Sequence, residues 1–144
     1  MIEVVSNRNL HEILPLIRAY QMFYQVTDIC DQHNLDFFSQ FGEHSDQGCQ
    51  FFYRESGRVV GFATVYFTYA STLAARVAVM NDLYTSPDFR GRGIGKQLIR
   101  HCRHYATEKG AVRLQWVTAP DNIQAQALYD AMDTRKSSWF FYSC

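Results

Sequence analysis

Apolar residues recur at three- and four-residue spacings near the start of the chain. Leu10, Ile13, Leu14 and Ile17 make one stripe, the pattern of a helix that buries one face. Asn9-Leu10-His11-Glu12 resembles a capping box at its start, with Asn in place of Ser or Thr. Pro15 is expected to kink that helix or move its start. A second short helix is expected over 35–41. Residues 49–53 and 59–69 read as two strands joined by the turn Glu55-Ser56-Gly57-Arg58, and 76–85 as a third, long strand. Leu98, Ile99, Cys102, Tyr105 and Ala106 share one face of a helix over 96–109 that Gly110 stops. A strand over 112–118 follows. Pro120-Asp121-Asn122 then opens a helix with Ala125, Leu128, Tyr129 and Met132 on one side. Four consecutive aromatics, Trp139 to Tyr142, suggest a closing strand over 138–142. This is a mixed α/β layout, and with no repeat, linker or low-complexity tract it is expected to be a single domain over 1–144.

Composition narrows the class. With 47% hydrophobic and 19% charged residues, the chain is not disordered. Its four cysteines, Cys30, Cys49, Cys102 and Cys144, form no CxxC pair and no zinc-finger spacing. They read as reduced thiols of a cytoplasmic protein, and no metal is expected. The start, Met1-Ile2-Glu3-Val4, does not resemble a signal peptide. The charge-free stretch over 59–75 is too short and too polar to cross a membrane. Net charge is zero, which argues against nucleic acid as a partner. Its distribution is uneven. Residues 1–58 carry four Arg against eight acids, whereas 90–113 carry five Arg and two Lys against Glu108 alone. A local basic excess in a neutral chain fits a small anionic ligand, or an ordinary solvated helix face. The acidic excess could draw a cationic amine, or be solvated surface.

The sharpest signal is Arg90-Gly91-Arg92-Gly93-Ile94-Gly95-Lys96, between a predicted strand and a predicted helix. Glycines there permit positive φ and close backbone approach, and the unpaired N–H groups of a helix start favour an anion. A Walker A loop is excluded, because Arg90 stands where its first Gly belongs and Gln97 where its Ser or Thr belongs. The dinucleotide fingerprint fails as well: Gly91-x-Gly93 leads to Lys96, and Gly93-x-Gly95 to Leu98.

Arg90-x-x-Gly93-x-Gly95 resembles the acyl-CoA loop of the GNAT superfamily of N-acetyltransferases. The similarity runs in register from Asn81-Asp82-Leu83-Tyr84 through the loop and its helix to Asn122-x-x-Ala125-x-x-Leu128-Tyr129, roughly over 76–142. Tyr20-x-x-Phe23-Tyr24 and Lys136-x-x-Trp139-x-x-Tyr142 further resemble the histone/polyamine acetyltransferase-like branch. The resemblance implies a central mixed, mostly antiparallel sheet flanked by helices, with acetyl-CoA as cosubstrate. It also implies a cofactor site made by Arg90, Gly91, Arg92, Gly93, Ile94, Gly95, Lys96 and Gln97 at the pyrophosphate, and by Leu83, Tyr84 and Thr85 beside the pantetheine arm. Asn122 matches a pantetheine-binding side chain, and it is an equally good helix N-cap. Tyr129 matches the tyrosine that protonates the departing thiolate. Tyr20, Tyr24 and Asn81 fall where the acceptor would bind.

The base departs from the family pattern. Relatives of that branch carry Glu-Asp where this chain has Asn81-Asp82, and Asn81 cannot take a proton. An alkylammonium of pKa ~10.4 needs about 4.6 kcal/mol to supply free amine at neutral pH. Asp82 is the remaining carboxylate at that place. Simple alternation puts it on the face opposite Asn81, unless a bulge re-aims one of them. Relatives also often have Gly after the last helix, where this chain has Met132-Asp133. The implied activity is acetyl transfer to a primary amine of a small molecule, polyamine-like or amino-acid-like. Alternatives are a non-catalytic CoA-binding sensor or partner module, or a protein lysine or N-terminal acetyltransferase. The apolar closing strand, and the branch it resembles, imply a homodimer.

Overall fold

The computed structural model describes residues 1–144. Its elements run β1 (Ile2–Val4), α1 (Leu10–Phe23), α2 (Asp31–Phe38), β2 (Gly48–Glu55), β3 (Arg58–Ala70), β4 (Ala75–Thr85), α3 (Ile94–Glu108), β5 (Leu114–Gln115) and α4 (Ile123–Asp130). The strands form one sheet in sequence order. Its first three pairings are antiparallel, and β4 meets β5 in parallel. This is the mixed, mostly antiparallel sheet flanked by helices that the sequence implied.

Strand alternation divides the core in two. Ala63, Val65, Ala78 and Met80 face α3, packing with Leu98, Ile99 and Cys102. Phe52, Phe62 and Tyr84 face α1, packing with Leu10, Ile13 and Ile17. The helical stripe therefore lies where its spacing placed it, and Pro15 sits inside an unbroken α1. The expected capping box is not made. Asn9 accepts from the Ser6 amide at 2.8 Å and donates to the Val4 carbonyl, while Glu12 turns to Arg54. Arg54 also binds Glu3 at 2.6 Å, so one guanidinium ties β1 and α1 to β2.

Two strand expectations need correction. The strand over 112–118 shrinks to Leu114–Gln115, because β5 pairs with β4 only at Ala78 and Val79 before the two diverge. No strand forms over 138–142. Trp139, Phe140, Phe141 and Tyr142 are 87–91% exposed, because nothing in this chain packs on either side of them. The missing glycine after α4 is replaced by Thr134, whose hydroxyl donates to the Tyr129 carbonyl at 2.7 Å.

Beyond Val79, β4 carries one extra residue. Met80 pairs with Val65 and Asp82 with Thr64, leaving Asn81 as a bulge. The insertion reverses the phase of the strand. Without it Asp82 would follow Ala78 and Met80 into the α3 core; with it Asp82 joins Thr64 on the α1 side.

Candidate active site

Where β4 leaves β5, its outer edge is free. Ser86 donates its amide back to Val60 of β3, so by the two-residue period Leu83 and Thr85 turn their backbone groups to the open edge. Tyr84, between them, turns its amide to β3 and packs its ring near Phe62 and Tyr20. The Arg90 side chain crosses the end of this edge: its Nε donates to the Thr85 carbonyl at 2.9 Å, and the guanidinium lies 5.5 Å from the Tyr84 ring centre. Arg90 thereby anchors the glycine loop to the strand.

The loop leads directly into α3. Gly93 is the N-cap, with φ +82°, a left-handed conformation that glycine adopts without the Cβ penalty. Gln97 is the first residue whose amide finds a helical acceptor, the Gly93 carbonyl at 3.1 Å. The amides of Gly93, Ile94, Gly95 and Lys96 precede it and form the unpaired N-terminal set. Gly95 serves a different purpose, because a Cβ there would lie 3.1 Å from a Leu128 methyl. Its bareness lets α4 come close.

These pieces share one cavity of about 340 Å³. Leu83, Tyr84, Thr85, Arg90, Gly91, Gly93, Ile94, Gly95 and Lys96 line one end. Tyr20, Phe23, Tyr24 and Asn81 line another wall, and Trp116, Asn122 and Tyr129 close it from the β5 and α4 side. Three expected site residues lie off this wall. Arg92 pairs with Glu55 at 3.1 Å, Gln97 uses its amide within α3, and Asp82 is buried behind Asn81, 6% exposed. Asn122 caps α4 by accepting from the Ala125 amide at 3.2 Å, and it also reaches the cavity. Phe23 carries a motif letter in Tyr20-x-x-Phe23-Tyr24 but is not among the expected site residues, and Trp116, inside the expected strand over 112–118, carries no site signal of its own.

Burial shifts two titrating groups at the site. It pushes the Tyr129 phenol up from its ordinary value, so the hydroxyl keeps its proton at neutral pH and is a donor. The ring packs edge-on to Trp116 with centres 5.4 Å apart. Asp82 is also pushed up, chiefly by burial; hydrogen bonds from Thr64, Tyr20 and Asn81 act in the opposite sense. The Asn81 Nδ2 donates to its Oδ1 at 3.1 Å. Thr64 is in turn held by Gln50, whose Nε2 donates to the Thr64 hydroxyl at 3.0 Å. Gln50 and Thr64 escaped the sequence reading, although polar residues at inward strand positions were the available sign. No group of three or more His, Cys, Asp or Glu side chains is placed to hold a metal ion, and no helix is long and apolar enough to cross a membrane.

The profile of the Acetyltransferase (GNAT) family matches residues 13–133. Among curated proteins, the chain is 27% identical over 132 residues to YhfO of Bacillus subtilis (strain 168), described as an uncharacterized N-acetyltransferase; the match covers 92% of this chain and 87% of that protein. It is 36% identical over 86 residues to the thialysine N-epsilon-acetyltransferase of Caenorhabditis elegans, covering 57% of this chain and 53%, about half, of that enzyme. Among solved structures, a probable acetyltransferase superposes with a TM-score of 0.86 at 23% identity, covering 100% of this chain and 96% of the other. That likeness concerns the fold.

Asp82 yields a pH prediction. Its folded pKa lies above the ordinary value of about 3.9. The folded state therefore holds the proton more tightly, and the stability this confers at low pH is lost as pH rises through the raised value. Asp82→Asn removes that loss. Urea unfolding across a pH series should show the variant gaining on the parent through this window and keeping a constant lead above it. A difference independent of pH would contradict the assignment.

Proposed function

This chain belongs to the GNAT family of acetyltransferases and is an N-acetyltransferase, and we propose that its 144 residues form one domain transferring acetyl from acetyl-CoA to a primary amine of a small, amino-acid-like molecule. The observation that carries this reading is the single cavity joining unpaired α3 amides, the open edge of β4 and the half-buried phenol of Tyr129. The Gly93, Ile94, Gly95 and Lys96 amides, with the Lys96 charge, receive the pyrophosphate. The backbone groups of Leu83 and the Thr85 amide receive the pantetheine as an added strand would be received. Asn122 keeps its amide nitrogen free for the same arm, because its cap uses only Oδ1.

The reaction is direct. The amine nitrogen attacks the thioester carbonyl, and the oxyanion that forms is met by a backbone N–H on the open β4 edge. Collapse breaks the C–S bond, and Tyr129 gives its proton to the departing sulfur. One ammonium proton must leave before attack; the second offsets the proton that Tyr129 supplies.

The cavity wall favours the amino-acid-like acceptor over the polyamine-like one. It presents Tyr20, Phe23, Tyr24 and Trp116 but no Asp or Glu, while Arg90 and Lys96 stand at its other end. A polyamine's distal ammonium groups would meet no carboxylate there. The thialysine enzyme named above acts, by its name, on an amino acid of this kind. The exposed thiols of Cys30 and Cys144 suit a reducing, cytoplasmic setting.

Two experiments test this reading. Free-thiol release from acetyl-CoA across a panel of amino acids, polyamines and lysine peptides should be fastest with a small amino-acid amine. Tyr129→Phe should lower kcat by about 10²–10⁴ with little change in the KM for acetyl-CoA. Binding of acetyl-CoA without turnover of any amine would instead identify a CoA sensor, and preference for the peptides a protein acetyltransferase. We further propose a homodimer covering Trp139–Tyr142, whose four exposed aromatics form an apolar patch of the kind that marks an interface. Sedimentation should show a dimer at micromolar concentration that reverts to monomer when residues 138–144 are deleted; a monomeric parent would overturn it.

A further inference from the structure

The amine proton has a carboxylate to go to, yet that carboxylate does not face the cavity. Asp82 is the acid in the family's base position or next to it, but it is 6% exposed and absent from the cavity wall, where Asn81 and Tyr20 stand. The proton must therefore pass through a neighbour. Asp82 accepts from the Asn81 amide at 3.1 Å, and the Thr64 and Tyr20 hydroxyls stand beside it.

Hydrogen-bond direction eliminates two of them. The Asn81 amide nitrogen donates to Oδ1 and has no lone pair with which to carry a proton inward. The Thr64 hydroxyl accepts from the Gln50 amide at 3.0 Å; both residues are fully buried, so Thr64 turns its own hydrogen to Asp82 and has no contact with the cavity. Tyr20 remains. Its hydroxyl donates to the Asn81 carbonyl oxygen at 3.4 Å, is free to rotate that hydrogen to the neighbouring Asp82 and can accept as well, and its side chain forms part of the cavity wall. The ring is held in place by edge contacts with Tyr24, Phe62 and Tyr84 at 5.0, 5.7 and 6.0 Å.

We propose that the Tyr20 hydroxyl is the proton relay between the acceptor amine in the cavity and the buried carboxylate of Asp82. This rests on the acetyl-transfer reading above. In the step, the ammonium nitrogen gives one proton to the Tyr20 oxygen as Tyr20 gives its own to Asp82. The products are a free amine, an unchanged phenol and a neutral Asp82 carboxyl. The reverse transfer returns the proton to the cavity after the amide has left. Thr64 and Gln50 are positioning residues that hold the carboxylate towards Tyr20. The groups facing Asp82 are Tyr20 with Tyr24 behind it from α1, Thr64 and Tyr66 from β3, Gln50 through Thr64 from β2, and Asn81 from its own strand. None of them is an Asp, Glu, His, Lys or Arg, so no fixed charge competes for the proton.

The test compares two acceptors of similar size, one amine of pKa about 10 and one of pKa about 7, since only the first needs a base at neutral pH. Tyr20→Phe keeps the ring and removes the oxygen. At pH 7 it should lower the ratio of kcat/KM for the strong base to that for the weak base at least 30-fold, within the range expected for lost proton transfer. The ratio should recover as pH approaches 10. Asp82→Asn should give the same signature, and the double variant should be no worse than either single one, because both act in one path. Equal slowing of both amines by Tyr20→Phe would indicate packing or binding and overturn the relay. So would additive losses, or a strong-base rate within threefold of the parent. A parent that transfers acetyl to neither amine would defeat the transfer reading and the relay with it; an active parent with an indifferent Tyr20→Phe defeats the relay alone.

Discussion

A strand that holds one more residue than its neighbour must change the face its side chains present, and in this protein the change falls at Asn81. Most of the site depends on that single insertion. Upstream of it, Ala78 and Met80 fill the α3 core. Downstream, Tyr84 fills the α1 core, and Asp82 lies among polar partners rather than among Leu98, Ile99 and Cys102. Parallel pairing with β5 ends at Val79, immediately before the bulge. The bent strand thus acquires a free edge and a buried carboxylate within the same few residues.

The free edge would be of little use without a fixed loop at its end. Arg90 binds the last carbonyl of β4, and Gly93 turns the chain through a left-handed conformation into α3. The unpaired amides therefore stand in a constant relation to the strand. The basic excess seen along 90–113 divides on folding: Lys96 and Arg90 reach the cavity, whereas Arg92 is drawn off by Glu55. Fixed N–H groups, more than mobile charges, define the anion end of the site.

Local patterns carried much of this into the sequence. The α1 stripe, the long strands and the amphipathic α3 are set by period and by glycine placement, and the structure contains each of them. The loop could be read because its glycines, its basic residues and the helix after it lie together. Asp82 could be found, and alternation set it opposite Asn81 unless a bulge intervened, but only the register against Thr64 reveals the extra residue and the core that Asp82 joins. Gln50 and Thr64 belong to a contact across three strands, which no local spacing encodes. The aromatic run at 139–142 has strand composition but no neighbour in this chain to pair with, and composition alone cannot supply one.

The proposed site makes the α3 amides and the open edge of β4 one continuous binding surface for acetyl-CoA. Residue-resolved amide hydrogen exchange, with and without acetyl-CoA, measures both halves at once. Exchange should slow at Gly93, Ile94, Gly95 and Lys96 together with Leu83 and Thr85, while Tyr84, already turned into the sheet, changes little. Binding of acetyl-CoA that leaves either set of amides exchanging as before would contradict it.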